Sequence, residues 1–204
     1  MKSFSLIAAV CKTDKKEVEG GLGVFNDLPW PMIKEDMKFF KSVTSSHKNN
    51  VVIMGRKTWE SIPEKHRPLP DRINVVLSSS QTFENALSFK TLDSAMEHLE
   101  TIDTNEIFIC GGESLYNQTI NDDRCNRIYL TKVFNEYKCD RFFPTINYSK
   151  FINLYQSPMH NQQEVLYQFI GLSKDSKDKT MLDTSTLISA PNHEESQYLQ
   201  IGRA

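Results

Sequence analysis

Short apolar runs recur along the first half of the chain and are separated by segments with a helical period. The runs are typical of strands covered on both faces, and they span residues 6–10, 51–54, 73–77 and 107–110. Between them the pattern predicts helices over residues 34–44, 92–101 (with Thr91 or Asp93 near its cap) and 113–120. Strands that alternate with helices in this way predict an α/β sheet of mostly parallel strands.

The pattern changes in the last part of the chain. Residues 127–133, 151–157 and 165–172 resemble strands with no convincing helix between them, so the sheet is expected to finish with antiparallel pairing. From Lys174 the sequence is polar and has no sustained period. We therefore predict a single domain over residues 1–173, a mixed sheet flanked by helices, followed by a linker or tail over residues 174–204.

Charge and composition narrow the class of partner. The 24 basic and 26 acidic side chains are mixed along the sequence, which argues against a nucleic-acid or polybasic membrane surface and favours a small molecule. No stretch approaches the ~20 apolar residues of a membrane span, and the apolar N-terminal run ends at charged residues, as a buried strand does.

The four cysteines are Cys11, Cys110, Cys125 and Cys139. Their wide spacing predicts neither a metal site nor a disulfide framework. A reducing compartment, and hence a cytoplasmic location, is expected.

The residues that follow three of the apolar runs carry phosphate-binding chemistry. Ligands of open α/β sheets bind beyond the carboxyl ends of the strands. The three segments there are Gly55-Arg56-Lys57-Thr58, Ser78-Ser79-Ser80 and Gly111-Gly112-Glu113-Ser114. Each alone is equally typical of an ordinary helix start or loop, and no Walker A or G-x-G-x-x-G motif is present. Their coincidence at three strand ends predicts a dinucleotide site.

A glycine-containing loop beginning at Gly21 leads through Leu28-Pro29-Trp30 into the first predicted helix. On that helix Asp36 shares the face of Ile33 and Phe40, and a lone acid on an apolar face is costly unless partnered. Asp36 is either a satisfied core or capping acid, or a carboxylate that binds a cationic or amidine-like ring and supports its protonation. Glu35, beside it, is expected to be a solvated neighbour.

Several motifs in order resemble the dihydrofolate reductase family over residues 4–172. They are L-I-A-A-V, L-G-V-F-N-D-L-P-W-P, D-x-x-x-F on the first predicted helix, V-V-I-M-G-R-K-T-W-E-S-I-P, R-P-L-P-D-R-I-N-V-V-L-S, C-G-G-E-S-L-Y, I-Y-L-T-K-V and D-R-F-F-P. The resemblance implies reduction of dihydrofolate to tetrahydrofolate by NADPH, with hydride to pterin C6 and a proton to N5, in support of one-carbon metabolism and thymidylate synthesis. Antifolates are implied as further ligands.

The resemblance also implies a set of site residues. Catalytic roles are implied for Asp36, Trp30 and Thr131. Asp36 would face the pterin. Without the resemblance, Thr131 would be an ordinary strand threonine. Arg72 would pair with the α-carboxylate of the glutamate tail; without the resemblance it is a solvated arginine. The substrate site implied in this way comprises Ile7, Ala8, Asp36, Met37, Phe40, Ser61, Ile62, Leu69, Arg72, Cys110 and Thr131.

For the cofactor, the resemblance implies phosphate contacts at two turns and a nicotinamide flanked by Ala9 and Leu22. The Gly111-Gly112 bond is expected to be cis. At Ser79 many family members carry an arginine that contacts the 2′-phosphate, so the hydroxyls of Ser78 and Ser80 and the cations of Arg56 and Lys90 are expected to replace it. The implied cofactor residues are Ala9, Leu22, Gly55, Arg56, Lys57, Thr58, Ser78, Ser79, Ser80, Lys90, Gly111, Gly112, Glu113, Ser114, Leu115 and Tyr116.

The sequence leaves two alternative functions open, as well as the interpretation of the C-terminal segment. A related pyrimidine reductase would not require Asp36, Phe40 and Arg72 together, and a non-catalytic folate- or nucleotide-binding module would not require Asp36, Trp30 and Thr131. Residues 192–201 resemble the opening of a thymidylate synthase domain, which would make the chain the reductase part of a fused protein; the alternative is a disordered tail. Residues 12–20 are expected to form a charged surface excursion.

Overall fold

The helices and strands follow mainly from the apolar runs. A computed structural model describes residues 1–179. Within them the helices are α1 (Lys34–Thr44), α2 (Arg56–Ser61), α3 (Leu92–Glu100) and α4 (Glu113–Thr119), with a short 3-10 helix at Glu64–His66. The strands are β1 (Phe4–Lys12), β2 (Val18–Gly23), β3 (Val51–Gly55), β4 (Ile73–Leu77), β5 (Leu87–Phe89), β6 (Ile107–Ile109), β7 (Cys125–Glu136), β8 (Arg141–Pro144), β9 (Ile152–Gln156), β10 (His160–Gln162) and β11 (Val165–Ser173).

One mixed sheet lies at the centre, in the order β10-β11-β7-β1-β6-β3-β4-β5. Every neighbouring pair from β7 to β5 is parallel. β11 returns antiparallel to β7 and pairs in the same sense with β9 and β10. The α/β fold with mostly parallel strands and antiparallel C-terminal strands is therefore confirmed.

Strand β1 separates two hydrophobic cores. Leu6, Ala8 and Val10 lie in the first core, whereas Ile7 and Ala9 lie in the second, because successive side chains of a strand point to opposite faces. Helices α3 and α4 cover the first core and α1 covers the second. Each large apolar side chain buried in this way contributes roughly 2 kcal/mol to the free energy of unfolding.

Helix α1 has the bounds that the apolar period predicts. Phe39, Phe40 and Val43 bury one face against the second core. On the exposed side, Glu35 Oε1 lies 3.7 Å from Lys38 Nζ. Glu35 is thus half-exposed and forms an ion pair at the surface, as expected for a solvated neighbour of Asp36.

Helix α3 begins at the threonine that the sequence singled out. The amide of Ser94 donates to Thr91 Oγ1 at 3.2 Å, and the amide of Thr91 donates to Ser94 Oγ at 3.3 Å. This reciprocal capping box satisfies two amides at the helix start.

Residues 12–17 form an exposed, charged turn, as expected for a surface excursion. The departure from the prediction begins at Val18, where the chain forms β2 through Gly23 in place of a continued excursion and a glycine loop. β2 pairs with β1 at Cys11 and Gly21 and with β8 at Gly21 and Phe142. The strand is rich in glycine and has no alternating apolar signal, so its pairing partners, rather than its own pattern, determine its conformation.

The described part of the chain ends in contact with the sheet. The Lys174 amide donates to the Asn126 carbonyl at 3.0 Å, and Asp178 is only 7% exposed. Residues 180–204, including the segment that resembles a thymidylate synthase, lie outside the described residues. Within residues 1–179, no helix has the length and hydropathy needed to cross a bilayer.

Candidate active site

A single buried carboxylate stands on the sheet-facing side of α1. Asp36 is 3% exposed, and Thr131 of β7, fully buried, donates its hydroxyl to Asp36 Oδ1 at 2.5 Å. The two residues are 95 positions apart in the chain, so the parallel placement of β7 beside β1 brings them together. A charge-assisted hydrogen bond of this length fixes the orientation of the carboxylate.

The negative charge at this end of α1 affects a neighbouring phenol. Burial raises the pKa of Tyr167 to about 12, and the carboxylates of Glu35 and Asp36 add to the effect. Tyr167 therefore stays neutral at any ordinary pH.

The apolar side chains expected around Asp36 lie together in the second core. Ile7, Phe40, Ile62, Leu69 and Cys110 are buried there, and Met37 packs against them partly exposed. The adjoining Ser61 donates its hydroxyl to the Thr58 carbonyl at 2.6 Å.

Ala8 and Leu22 do not share the second core with the apolar side chains around Asp36. Both side chains belong to the first core, with that of Ala8 on the opposite face of β1 from Ile7. Because strand side chains alternate, only the backbone of Ala8 belongs to the Asp36 side of the sheet. Ala9 does lie on that side.

Trp30 is buried beside this group and is 2% exposed. Its ring centroid lies 6.2 Å from that of Tyr137. Among the described residues, no atom accepts a hydrogen bond from its Nε1. A buried N–H that lacks an acceptor costs about 1–3 kcal/mol, so this donor is suited to a bound water or ligand.

Arg72 is held at the far end of α1. Its Nη1 donates to Thr44 Oγ1 at 2.7 Å and its Nε donates to the Pro70 carbonyl at 2.8 Å. The guanidinium carbon is 5.9 Å from the centroid of the Phe40 ring. These contacts orient the cation beside the apolar group that surrounds Asp36.

The Gly111-Gly112 turn joins the two halves of the site. The bond is cis, as expected, and Gly111 has φ +129°. The Gly55 amide donates to the Gly111 carbonyl at 2.9 Å, and the Tyr116 hydroxyl donates to the Ile7 carbonyl at 2.7 Å. A Cβ at Gly111 would lie 3.3 Å from Thr58 Oγ1, so the turn requires glycine for both its conformation and its packing.

A polar pocket of about 650 Å³ opens on the other side of this turn. Most residues expected at the cofactor line it, namely Gly55, Arg56, Lys57, Thr58, Ser78, Ser79, Lys90, Gly112, Glu113, Ser114 and Leu115. Ser80, Gly111, Tyr116, Ala9 and Leu22 are not among its lining residues. The three strand ends thus do converge on one cavity.

Several lining residues were not expected at the cofactor site from the sequence. They are Leu77, Thr91, Leu92, Gln118 and Arg141. Arg141 Nη1 donates to the Asp140 carbonyl at 2.9 Å, and its Nε is 4.0 Å from Glu113 Oε2. Although the D-R-F-F-P motif contains it, Arg141 reaches the pocket through the pairing of β8 with β2 and the bond from the Phe142 amide to Glu113 Oε1, neither of which the sequence pattern shows.

The loop between β2 and Trp30, residues 24–29, leans on the turn that precedes β8. The Asp140 amide donates to the Gly23 carbonyl at 2.9 Å, and the Phe25 amide donates to Asp140 Oδ2 at 3.1 Å. Phe25 lies at the tip with φ 49° and is 88% exposed. The position of this loop therefore depends on Asp140.

Together these features define an α/β enzyme with a cationic, polyphosphate-sized pocket next to a buried, oriented carboxylate. A family model described as "Dihydrofolate reductase" matches residues 4–174. The chain belongs to the dihydrofolate reductase family, and the family's members are oxidoreductases.

Curated relatives agree with this assignment. A "Dihydrofolate reductase" of Aedes albopictus is 40% identical over 160 residues, which cover 72% of this chain and 81% of the relative. One of Drosophila melanogaster is 41% identical over 155 residues, with the same coverage. A "Putative bifunctional dihydrofolate reductase-thymidylate synthase" of Oryza sativa subsp. japonica is 38% identical over 170 residues, which cover 77% of this chain but 34% of that relative.

Proposed function

We propose that this chain reduces dihydrofolate to tetrahydrofolate with NADPH as the cofactor. The observation that carries the proposal is the 2.5 Å hydrogen bond from Thr131 to Asp36, which orients one buried carboxylate beside an apolar group and a cationic pocket. When bound, NADPH supplies a hydride from nicotinamide C4 to pterin C6. The remaining steps fall to side chains of this chain.

Asp36 binds and orients the pterin ring. A carboxylate offers about four lone-pair sites, and the Asp36 carboxylate would accept from the pterin N3–H and 2-amino group alongside the bond from Thr131. Two parallel N–H···O bonds to one carboxylate also set the angle of the ring in the site. The ring would then pack against the apolar side chains around Asp36, where Phe40 and Ile7 are buried.

Asp36 also favours proton delivery to N5, through water. The buried Trp30 N–H, which lacks an acceptor among the described residues, would hold such a water. General acid catalysis of this kind contributes about 100-fold to 10,000-fold to the rate. Closure of the loop over residues 24–29 would exclude other water during transfer.

Arg72 recognises the α-carboxylate of the glutamate tail. Its contacts with Thr44 and the Pro70 carbonyl hold the guanidinium in place, which reduces the entropy lost when the carboxylate binds. Antifolates with the same amidine-like ring edge would occupy the Asp36 end of the site.

The pocket fits a dinucleotide phosphate in size and in chemistry. A volume of about 650 Å³ lies within the usual range for cofactor sites, and Arg56, Lys57 and Lys90 give it a cationic lining. Phosphates would be held by Thr58 and by the turn at Gly112. The hydroxyls of Ser78 and Ser79, with Arg56 and Lys90, would bind the 2′-phosphate that separates NADPH from NADH.

We also propose that the domain continues into a thymidylate synthase in the natural protein. Two observations support this: residues 192–201 resemble the start of such a domain, and the chain matches about a third of the rice bifunctional relative. An antibody raised against residues 1–179 tests the proposal, because it would detect a protein much larger than this chain in the source organism. Detection of only a chain of this size would contradict it.

The proposed reaction is tested by mixing the purified protein with dihydrofolate and NADPH and following the loss of absorbance at the reduced-nicotinamide band. NADPH consumption that requires dihydrofolate and stops with an antifolate is expected, with much slower consumption of NADH. If both ligands bind but nothing is consumed, the non-catalytic module replaces the proposed function. Consumption only with a pyrimidine substrate would favour the pyrimidine reductase.

A further inference from the structure

Two of the four cysteines lie in contact at the corner where β1, β2 and β8 meet. Cys11 lies near the end of β1 and Cys139 lies just before β8, and their sulfur atoms are 3.5 Å apart. They are separated by 128 positions in the chain, so the fold brings them together. Cys139 Sγ also lies 3.6 Å from the Tyr137 carbonyl oxygen, and the thiols of Cys110 and Cys125 each contact a backbone carbonyl oxygen.

The opposing residue of β2 is a glycine that leaves room for both sulfur atoms. A Cβ at Gly21 would lie 2.3 Å from Cys139 Sγ and 3.1 Å from Cys11 Sγ. The first distance is closer than a Cβ and a sulfur atom can approach, so any other residue at position 21 would displace the pair. The thiols therefore occupy a site to which β1, β2 and the turn before β8 all contribute.

We propose that Cys11 and Cys139 form a redox-reactive dithiol that closes to an intramolecular disulfide in the presence of a small-molecule disulfide. Closure requires the sulfur atoms to move from 3.5 Å to about 2.05 Å, a shift of roughly 1.5 Å that the strand end and the turn share.

The reaction with glutathione disulfide proceeds in two exchanges. Cys139, the less buried of the pair, attacks as thiolate, forms a mixed disulfide and releases one glutathione. Cys11 then attacks Cys139 Sγ, forms the internal bond and releases the second glutathione. The two thiol protons end on the two glutathione molecules, and two electrons pass from the protein to the oxidant.

The rate of this exchange should rise steeply with pH. Burial raises the pKa of Cys11 to about 12 and also raises the pKa of Cys139 above its ordinary value. Both thiols are therefore mainly protonated at neutral pH, and the thiolate fraction grows about tenfold per pH unit below the pKa.

Closure of the disulfide should also slow turnover, a consequence that rests on the proposed function. Cys139 lies between Tyr137, which contacts the ring of Trp30, and Asp140, which holds the loop of residues 24–29 at Gly23 and Phe25. A displaced Cys139 would shift both contacts, and loop positions commonly limit turnover.

The test compares the wild type with Cys11→Ser, Cys139→Ser and the matched control Cys125→Ser. Each protein is incubated with glutathione disulfide at neutral pH and at roughly pH 9. The mass of the intact protein is then measured by mass spectrometry. The wild type and Cys125→Ser should lose two hydrogens, faster at the higher pH. Cys11→Ser should stop at an adduct of one glutathione on Cys139. A wild type that stays unmodified, keeps the adduct, or links other cysteines would overturn the proposal.

Turnover is measured on the reduced enzyme first and again after oxidation. After oxidation we expect the kcat of the wild type to fall several-fold, and to recover fully when a dithiol reductant is added. In the presence of the reductant, the kcat of Cys11→Ser should not change. An unchanged kcat in the fully cross-linked protein would refute the link to the loop. An inactive reduced enzyme would count against the proposed function and leave the mass result intact.

Discussion

At the scale of single residues, the most informative contact is the hydrogen bond from Thr131 to Asp36. Thr131→Val removes a bond to a charged group worth about 1.5–3 kcal/mol while keeping the shape of the side chain. We expect kcat to fall by roughly tenfold or more with little change in the KM for NADPH. Steady-state kinetics with both substrates would show this.

The matched control is Thr119→Val. Thr119 is equally buried, but its hydroxyl donates to the Leu115 carbonyl. It should lose stability without a comparable loss of kcat. If the two variants lose activity in parallel, the Thr131 bond has no special part in the reaction.

Arg141 gives a second prediction at this scale. Its guanidinium lines the pocket and is held only loosely by carboxylates, with Glu113 Oε2 4.0 Å and Asp140 Oδ1 3.9 Å away. Arg141→Gln should raise the Kd for NADPH about five- to tenfold, because one cation near the phosphates is lost. Isothermal titration would measure it, with Arg67→Gln, outside the pocket lining, as the control. Equal affinity in wild type and Arg141→Gln would remove this residue from the site.

At the scale of elements, the turn between β6 and α4 depends on a glycine that no other residue can replace. Gly111→Ala would put a Cβ 3.3 Å from Thr58 Oγ1 at φ +129°, which costs about 1–3 kcal/mol. We expect a lower unfolding temperature and weaker NADPH binding. Differential scanning fluorimetry with and without NADPH would report both.

Gly55→Ala is the control for stability. The nearest atoms to a Cβ at Gly55 are 4.0 Å away and its φ is −74°, so the fold should tolerate the methyl group. An equal loss of stability in both variants would show that the special conformation of Gly111 does not matter.

Some of the helices and strands could be predicted from the sequence alone, and others could not. The strands β1, β3, β4 and β6 are buried on both faces and appear as apolar runs, and α1 shows a helical period, so each was predicted within a few residues. Strands β5 and β10 have only three residues each, too few to show a period, and β2 and β8 pair with each other from distant parts of the chain.

The candidate site likewise contains features that the sequence predicts and features that depend on contacts between distant residues. The convergence of three strand ends follows from parallel topology and was predicted. The partnership of Asp36 and Thr131 was expected only from the resemblance to a family, because nothing local joins residues 95 positions apart. Arg141 was missed because its place depends on the unpredicted pair β2 and β8.

At the scale of the whole described molecule, the segment after β11 is fastened to the sheet. Asp178 accepts from Arg127 Nε at 2.5 Å and from the Ser173 hydroxyl at 2.8 Å, and Arg127 also contacts Glu106. We predict that Asp178→Asn lowers the free energy of unfolding by about 2 kcal/mol, because it leaves a partly buried arginine without its strongest partner. A shift of the urea midpoint with an unchanged slope would measure it.

Asp175→Asn is the control for that change. Asp175 is exposed, and its Oδ1 accepts from the Lys177 amide within its own turn. Its effect should stay within about 0.5 kcal/mol. If Asp178→Asn is equally mild, the stable domain ends at β11 and the last described residues contribute nothing to it.

We propose that Asp36 supports protonation of the substrate, and the pH profile of the Asp36→Asn variant tests this role. The amide keeps the size of the side chain, so the variant should fold and bind NADPH. Near neutral pH its kcat should fall about 100-fold or more, and it should recover in part as the pH falls from about 8 to about 5, because dihydrofolate is then protonated in solution. Wild-type kcat in this variant at neutral pH would contradict the account.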